Sequence, residues 1–180
     1  MPEPLRRPPT VALIAALVMF ALGATMGGAL VGLQDQMYDF ARAQVVKRPE
    51  VHGFGGVEVI DQQRIAEVVE QSNNALRMLH VHGLGLGMLI LLGALVIVNL
   101  PIPERAKQAG CVLLSLGALY PPGWLILGGL IPYFGVKALR APVEWGLFVP
   151  FGGAVIVALW ATLLLYVIAL VRRRTRTEPS

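Results

Sequence analysis

The chain has 180 residues, 56% hydrophobic and only 14% charged, where an ordinary soluble domain carries about 25% charge. Mean hydropathy is +0.66, which places it in the membrane class before any motif is read. The net charge of +4 comes from short basic groups between apolar blocks, so nucleic acid is excluded as a partner, and the single cysteine, Cys111, excludes an intrachain disulfide.

Crossing a hydrocarbon core takes about 20 apolar residues. In chain order, four stretches qualify: 10–33, 79–100, 109–131 and 147–171. The first follows Arg6 and Arg7 like a secretory signal, but its apolar run exceeds the roughly 7–15 residues of a signal core and reads as a retained anchor. Short flanks rich in arginine and lysine set orientation. Arg6 and Arg7, then Arg105 and Lys107, then Arg172, Arg173, Arg174 and Arg176 fall on one side of a four-span chain. That side is expected to be cytoplasmic, with both termini on it.

The opposite side holds the long segment 34–78 and the short loop 132–146. In the long segment, "RPEVHGFGGVEV" predicts a Gly/Pro turn followed by a short extended run. Ile65, Val68, Val69, Leu76 and Leu79 recur at helical spacing, which predicts an amphipathic helix feeding the second span, kinked at Asn73-Asn74.

Gly23/Gly27, Gly28/Gly32 and Gly83/Gly87 are each four residues apart, a spacing that lets helix backbones approach closely in lipid. Pro121-Pro122-Gly123 interrupts the third span and predicts a kink flanked by Tyr120 and Trp124. The kink either serves packing or shapes a ligand cleft. Tyr133, Trp145 and Trp160 read as interfacial or lipid-facing aromatics, and Cys111 as a small buried residue.

The span interiors carry no Asp, Glu, Lys or Arg; their polar side chains are Thr25, Asn99, Ser115, Tyr120, Thr162 and Tyr166. This argues against an ion-coupled transporter, which needs intramembrane ionisable groups for its relay. Gly-x-Ser-x-Gly, His-Glu-x-x-His, a phosphate loop and Cys-x-x-Cys-His are all missing, so no catalytic residue is assigned and the chain reads as no enzyme on its own.

What remains is His52, His80 and His82, all toward the outer side. On a helix, residues two apart are separated by about 200°, so His80 and His82 point to nearly opposite faces. "HVHGLGLGMLILLGAL" resembles the His-x-His haem-ligand helix of the haem–copper oxidase and nitric-oxide reductase superfamily, and is similar to a segment of small related membrane proteins. The resemblance implies haem ligation by His80 and His82 and a role in electron transfer or a respiratory complex. The second axial ligand would be His52, Met26, Met78 or a histidine of another chain.

Two alternatives stand beside it. One is a cofactor-free accessory or assembly subunit whose glycine faces meet other membrane subunits or a second copy. The other is an external metal site in which Asp35 and Asp39, four apart on one helix face, join His52, His80 or His82. Against that site, Asp35 and Asp39 are expected to be neutralised by Arg42. The sequence thus predicts a single-domain, all-α integral membrane protein: a four-helix transmembrane bundle in a bacterial inner membrane, capped by a partly helical outer segment between its first two helices.

Overall fold

A computed structural model describes residues 4–177, with side chains through residue 171. Among the described residues the regular structure is all helical, with no strand. The elements are α1 (Thr10–Gly32), α2 (Gln34–Val46), α3 (Pro49–His52), α4 (Glu58–Asn99), α5 (Glu104–Ser115), a 3₁₀ turn (Leu116–Leu119), α6 (Pro122–Val143), a π-helical segment (Glu144–Gly152) and α7 (Gly153–Thr177). Of the basic C-terminal run, the side chains of Arg172–Arg174 and Arg176 lie outside the described residues.

Three stretches are long and apolar enough to cross a membrane: Thr10–Gly32, Glu58–Asn99 and Glu104–Val171. The third folds back on itself at Gly135, whose φ of 73° and ψ of 158° leave the helix. Glycine tolerates this positive φ because it has no Cβ. On the return, Val143 and Phe148 come against Gly123, and Val155 comes against Gly117. The faces left over are apolar: Ile156, Val157, Trp160, Leu163, Leu164 and Val167 of α7 are all exposed. Outward-facing side chains of this kind suit lipid and not water.

α1 and α4 pack antiparallel along glycine. A Cβ on Gly83 would lie 2.9 Å from Gly23 Cα and 3.2 Å from Met19 O. A Cβ on Gly23 would lie 2.8 Å from the backbone nitrogen of Leu84. Only a hydrogen fits at either point. Gly87 meets the ring of Phe20 and the carbonyl of Ala16 in the same seam. Around it Ala12, Ala16, Met19, Ile90, Ala94, Cys111 and Leu114 form the buried core. Gly28 and Gly32 meet nothing within 4 Å.

Several expectations need correction. No kink occurs at Asn73-Asn74, because α4 runs unbroken for 42 residues. Ser72 and Asn73 are buried, and Ser72 Oγ donates to Gly128 O at 2.6 Å. That side chain is used across the helix interface, so it does not compete for its own helix's backbone. The extended run shrinks to Val57, since Glu58 already opens α4. Asp61 in the first turn accepts from the N–H groups of Gly55 at 3.0 Å and Gly56 at 2.9 Å, which folds the glycine turn onto the helix start. The helix that carries the third apolar stretch begins at Glu104, five residues before that stretch, with Lys107 buried in its first turn. The loop 132–146 is helical except at Gly135 and packs on the outer helices. At Pro121-Pro122 the expected interruption is present: a 3₁₀ turn ends at Leu119 and a new helix starts at Pro122.

The seam makes a prediction. Gly83→Ala must separate two backbones and should destabilise the protein by about 1–3 kcal/mol. Gly28→Ala, in open space, should change stability by less than about 0.5 kcal/mol. Unfolding of both variants in a mild detergent checks this, and equal losses would refute the seam.

Candidate functional site

α4 carries His80 and His82 on opposite faces, and each face does something different. His80 is half-buried in the seam, with Nδ1 2.8 Å from Gly23 O. A Cβ on Gly27 would lie 2.5 Å from its Cε1, so Gly27 is what makes room for the ring. His82 holds Met78 O, one turn back on its own helix, at 2.9 Å through Nδ1. Its ring stacks on Trp124 at 5.7 Å between centroids and 23° between planes, with Tyr120 at 5.3 Å. A neutral imidazole whose Nδ1 meets a carbonyl carries its proton there and leaves Nε2 as the acceptor or ligand atom.

His52 is elsewhere. At the end of α3 its Nε2 lies 3.1 Å from Pro132 O and ties that helix to α6. Asp35 and Asp39 sit exposed on α2. Arg42, expected to neutralise them, donates to Gln62 Oε1 at 3.0 Å. Among the described residues no three of His, Cys, Asp and Glu converge on one metal-sized position. Among the described residues Asp35 and Asp39 form no group of three with His52, His80 or His82.

Aromatic packing continues past His82. Trp124 lies 4.6 Å from Phe148 and Tyr120 lies 4.9 Å from it, between centroids. This cluster sits where the proline interruption brings the start of α6 beside the π-helical return. It forms one end of a cleft of about 700 Å³ between α4, α6 and the return segment. Ala75, Met78, Leu127, Ile131, Phe148 and Trp124 give it apolar walls. Gln71, Asn74, Arg140 and Glu144 give it polar groups, with Arg140 Nε 3.9 Å from Glu144 Oε2. Gln71 and Asn74 precede Met78 on α4, so the polar groups of that wall lie toward the start of the helix. The indole N–H of Trp124 is buried with no hydrogen-bond acceptor.

On the other outer flank, Tyr38 of α2 donates its hydroxyl to Glu70, and Arg77 Nη1 lies 3.3 Å from the same carboxylate. The bond to Glu70, reinforced by burial, holds the Tyr38 phenol above the usual tyrosine range. The Arg48 guanidinium stands 4.6 Å over the Tyr133 ring, and Phe40 lies 6.5 Å from it. Trp145 and Trp160 are exposed.

No family model, characterised protein or solved structure matches this chain.

Sequence reasoning reached Trp124 and Tyr120 through the proline interruption beside them. It missed Phe148, Arg140 and Glu144, which lie about 20 residues further on and reach the cleft only because the chain reverses at Gly135. It also missed the Tyr38–Glu70 bond, which joins two helices 32 positions apart.

Proposed function

We propose that this chain is a non-enzymatic integral membrane protein that binds an amphipathic small molecule in its outer cleft. The carrying observation is the cleft itself, of about 700 Å³, with apolar walls and a few polar groups from Gln71, Asn74, Arg140 and Glu144. Its size and lining match those of small-molecule sites, which bury an apolar body and orient it with a few polar atoms. The Trp124 indole forms part of the apolar wall. The proline interruption thus serves to place Trp124 in the cleft wall.

The experiment uses Trp145→Phe/Trp160→Phe, which leaves Trp124 as the single tryptophan. Titration with 9,10-dibromostearate in detergent should quench its emission saturably. Val149→Phe, which fills the cleft mouth, should abolish the saturable part. Quenching that stays linear and unchanged by Val149→Phe would mean mere contact with detergent and sink the reading.

The same proposal places four spans in the membrane, the third stretch crossing twice through its reversal at Gly135, with both termini cytoplasmic in a bacterial inner membrane. Support comes from the basic flanks and from the antiparallel contact of the limbs on either side of Gly135. Cysteine reporters at Gly55 and Ser180 (the latter outside the described residues) should label from opposite sides of the membrane. Labelling from one side would remove the four-span arrangement.

A second reading follows from the histidines. His80 and His82 both point Nδ1 at a backbone carbonyl, the outer-sphere bond that orients an imidazole for ligation through Nε2. Each Nδ1 contact leaves Nε2 as the ligand atom, and His80 and His82 offer one axial position on each face of α4. The second would come from another chain, so the haem reading becomes that of a subunit in a complex, as the outward glycines Gly28 and Gly32 also favour. Protein purified with its partners retained should then show a Soret band that His80→Ala or His82→Ala reduces. A wild type without haem or bound metal ends this reading and leaves the cleft proposal standing.

A further inference from the structure

At the opposite end of the molecule from the cleft, three helix ends meet: the start of α1, the end of α4 and the start of α5. The segment before α1 crosses this junction as a strap. Asn99 holds it in both directions, with Oδ1 accepting from Arg6 N at 3.0 Å and Nδ2 donating to Arg6 O at 3.2 Å. Pro8 is buried and Pro9 is extended at φ −64° and ψ 152°, so the strap is stiff and enters α1 in one direction. Arg6 and Arg7 are therefore positioned by backbone bonds.

Between strap and α5 lies a cavity of about 340 Å³. Its lining includes the cations Arg6, Arg7 and Lys107 and, among the described residues, the single carboxylate Glu104. Lys107 is only 7% exposed. Its ammonium has three N–H donors, one of which reaches Val98 O at 2.9 Å, while Glu104 Oε2 stands at 3.9 Å, beyond hydrogen-bonding distance. Glu104 is shared with Arg6 Nη1 at 3.6 Å, so one carboxylate faces two cations. The α1 start adds further donors. It has no side-chain cap and no acid in its first turn, and its first N–H groups lack intrahelical acceptors.

A buried ammonium and the Arg6 guanidinium share one exposed carboxylate, and Arg7 adds a third cation to the same lining, so positive charge is in excess there. We infer that this cavity binds the phosphate of an anionic phospholipid headgroup, held by Arg6, Arg7 and Lys107 at the membrane surface. Guanidinium forks and an ammonium supply the charge-assisted bonds a phosphate takes, and a helix start favours the same anion. A lipid is the source favoured here because the site sits where the apolar spans begin and because Val98 and Cys111, both buried, form its floor. Basic pockets between membrane helices are suited to such headgroups. The ordinary role of Lys107, capping the carbonyl end of α4, uses one of its donors and leaves the rest for the phosphate.

The inference rests on the membrane reading but not on the cleft or the span count. Thermal unfolding of the full chain in a neutral detergent tests it, with added dioleoylphosphatidylglycerol, dioleoylphosphatidylcholine or inorganic phosphate. Phosphatidylglycerol should raise the midpoint saturably and phosphatidylcholine should not. Arg6→Gln/Arg7→Gln keeps the strap's backbone bonds, and it should weaken the phosphatidylglycerol effect by about fivefold per cation removed, as should Lys107→Met. Failure of millimolar phosphate to displace the lipid supports a lipid source. Displacement by phosphate alone would overturn the lipid assignment and make this a site for free phosphate. Equal responses to the two lipids, or an unchanged response in Arg6→Gln/Arg7→Gln, would overturn the site altogether.

Discussion

The backbone contact between Gly23 and Gly83 governs the rest of this molecule. In an apolar solvent there is little to gain from hiding one methyl group against another, so helices are held by close fit and by the few hydrogen bonds they share. Absent side chains at Gly23 and Gly83 let the two chains touch, and Gly87 extends the contact toward Phe20. Once α1 lies this close, His80 finds Gly23 O within reach and Gly27 vacant beneath its ring. The same antiparallel alignment brings the start of α1 to the end of α4, where Asn99 can clamp the strap at Arg6. The histidine seat and the basic cavity are thus both consequences of one seam.

A second constraint is that polar groups in an apolar setting must find partners close by. Ser115 Oγ donates to Cys111 O, Thr162 Oγ1 to Ala158 O and Asn99 Nδ2 to Leu95 O, each one turn back on its own helix. Ser115 and Thr162 meet their needs without a second helix and so mark no site, whereas Asn99 also holds the strap at Arg6. The polar ties between elements are fewer, and they set the architecture. Ser72 on Gly128 O and His52 on Pro132 O hold the outgoing limb of α6 against α4 and α3. Arg48 over Tyr133 secures its far end. With that limb fixed, the reversal at Gly135 returns the chain over Gly123, and the cleft is the space left between the two limbs and α4. Asn73 Nδ2 and Trp124 Nε1 are exceptions to the rule of local satisfaction, each buried without an acceptor, and the Trp124 ring lines that cleft.

The sequence by itself determined the membrane character, the helical class, the ends of α1 to within a residue and the proline interruption, because each follows from local composition or backbone chemistry. A run of apolar residues about 20 long has few alternatives in lipid, and a proline pair lacks its donors in any fold. It also determined that His80 and His82 diverge, which is helix geometry alone. Tertiary structure decided what each imidazole meets, since Gly23 is 57 positions from His80 and no local pattern pairs them. It decided that α4 stays unbroken through Asn73, where a buried neighbour replaces the turn that two asparagines suggest. It also decided the cleft and the basic cavity, whose walls come from segments far apart in the chain. Arg6 and Lys107 read as separate orientation signals until the strap brings them to one wall. Local chemistry sets what a segment can be, and the approach of distant segments sets what its side chains can do.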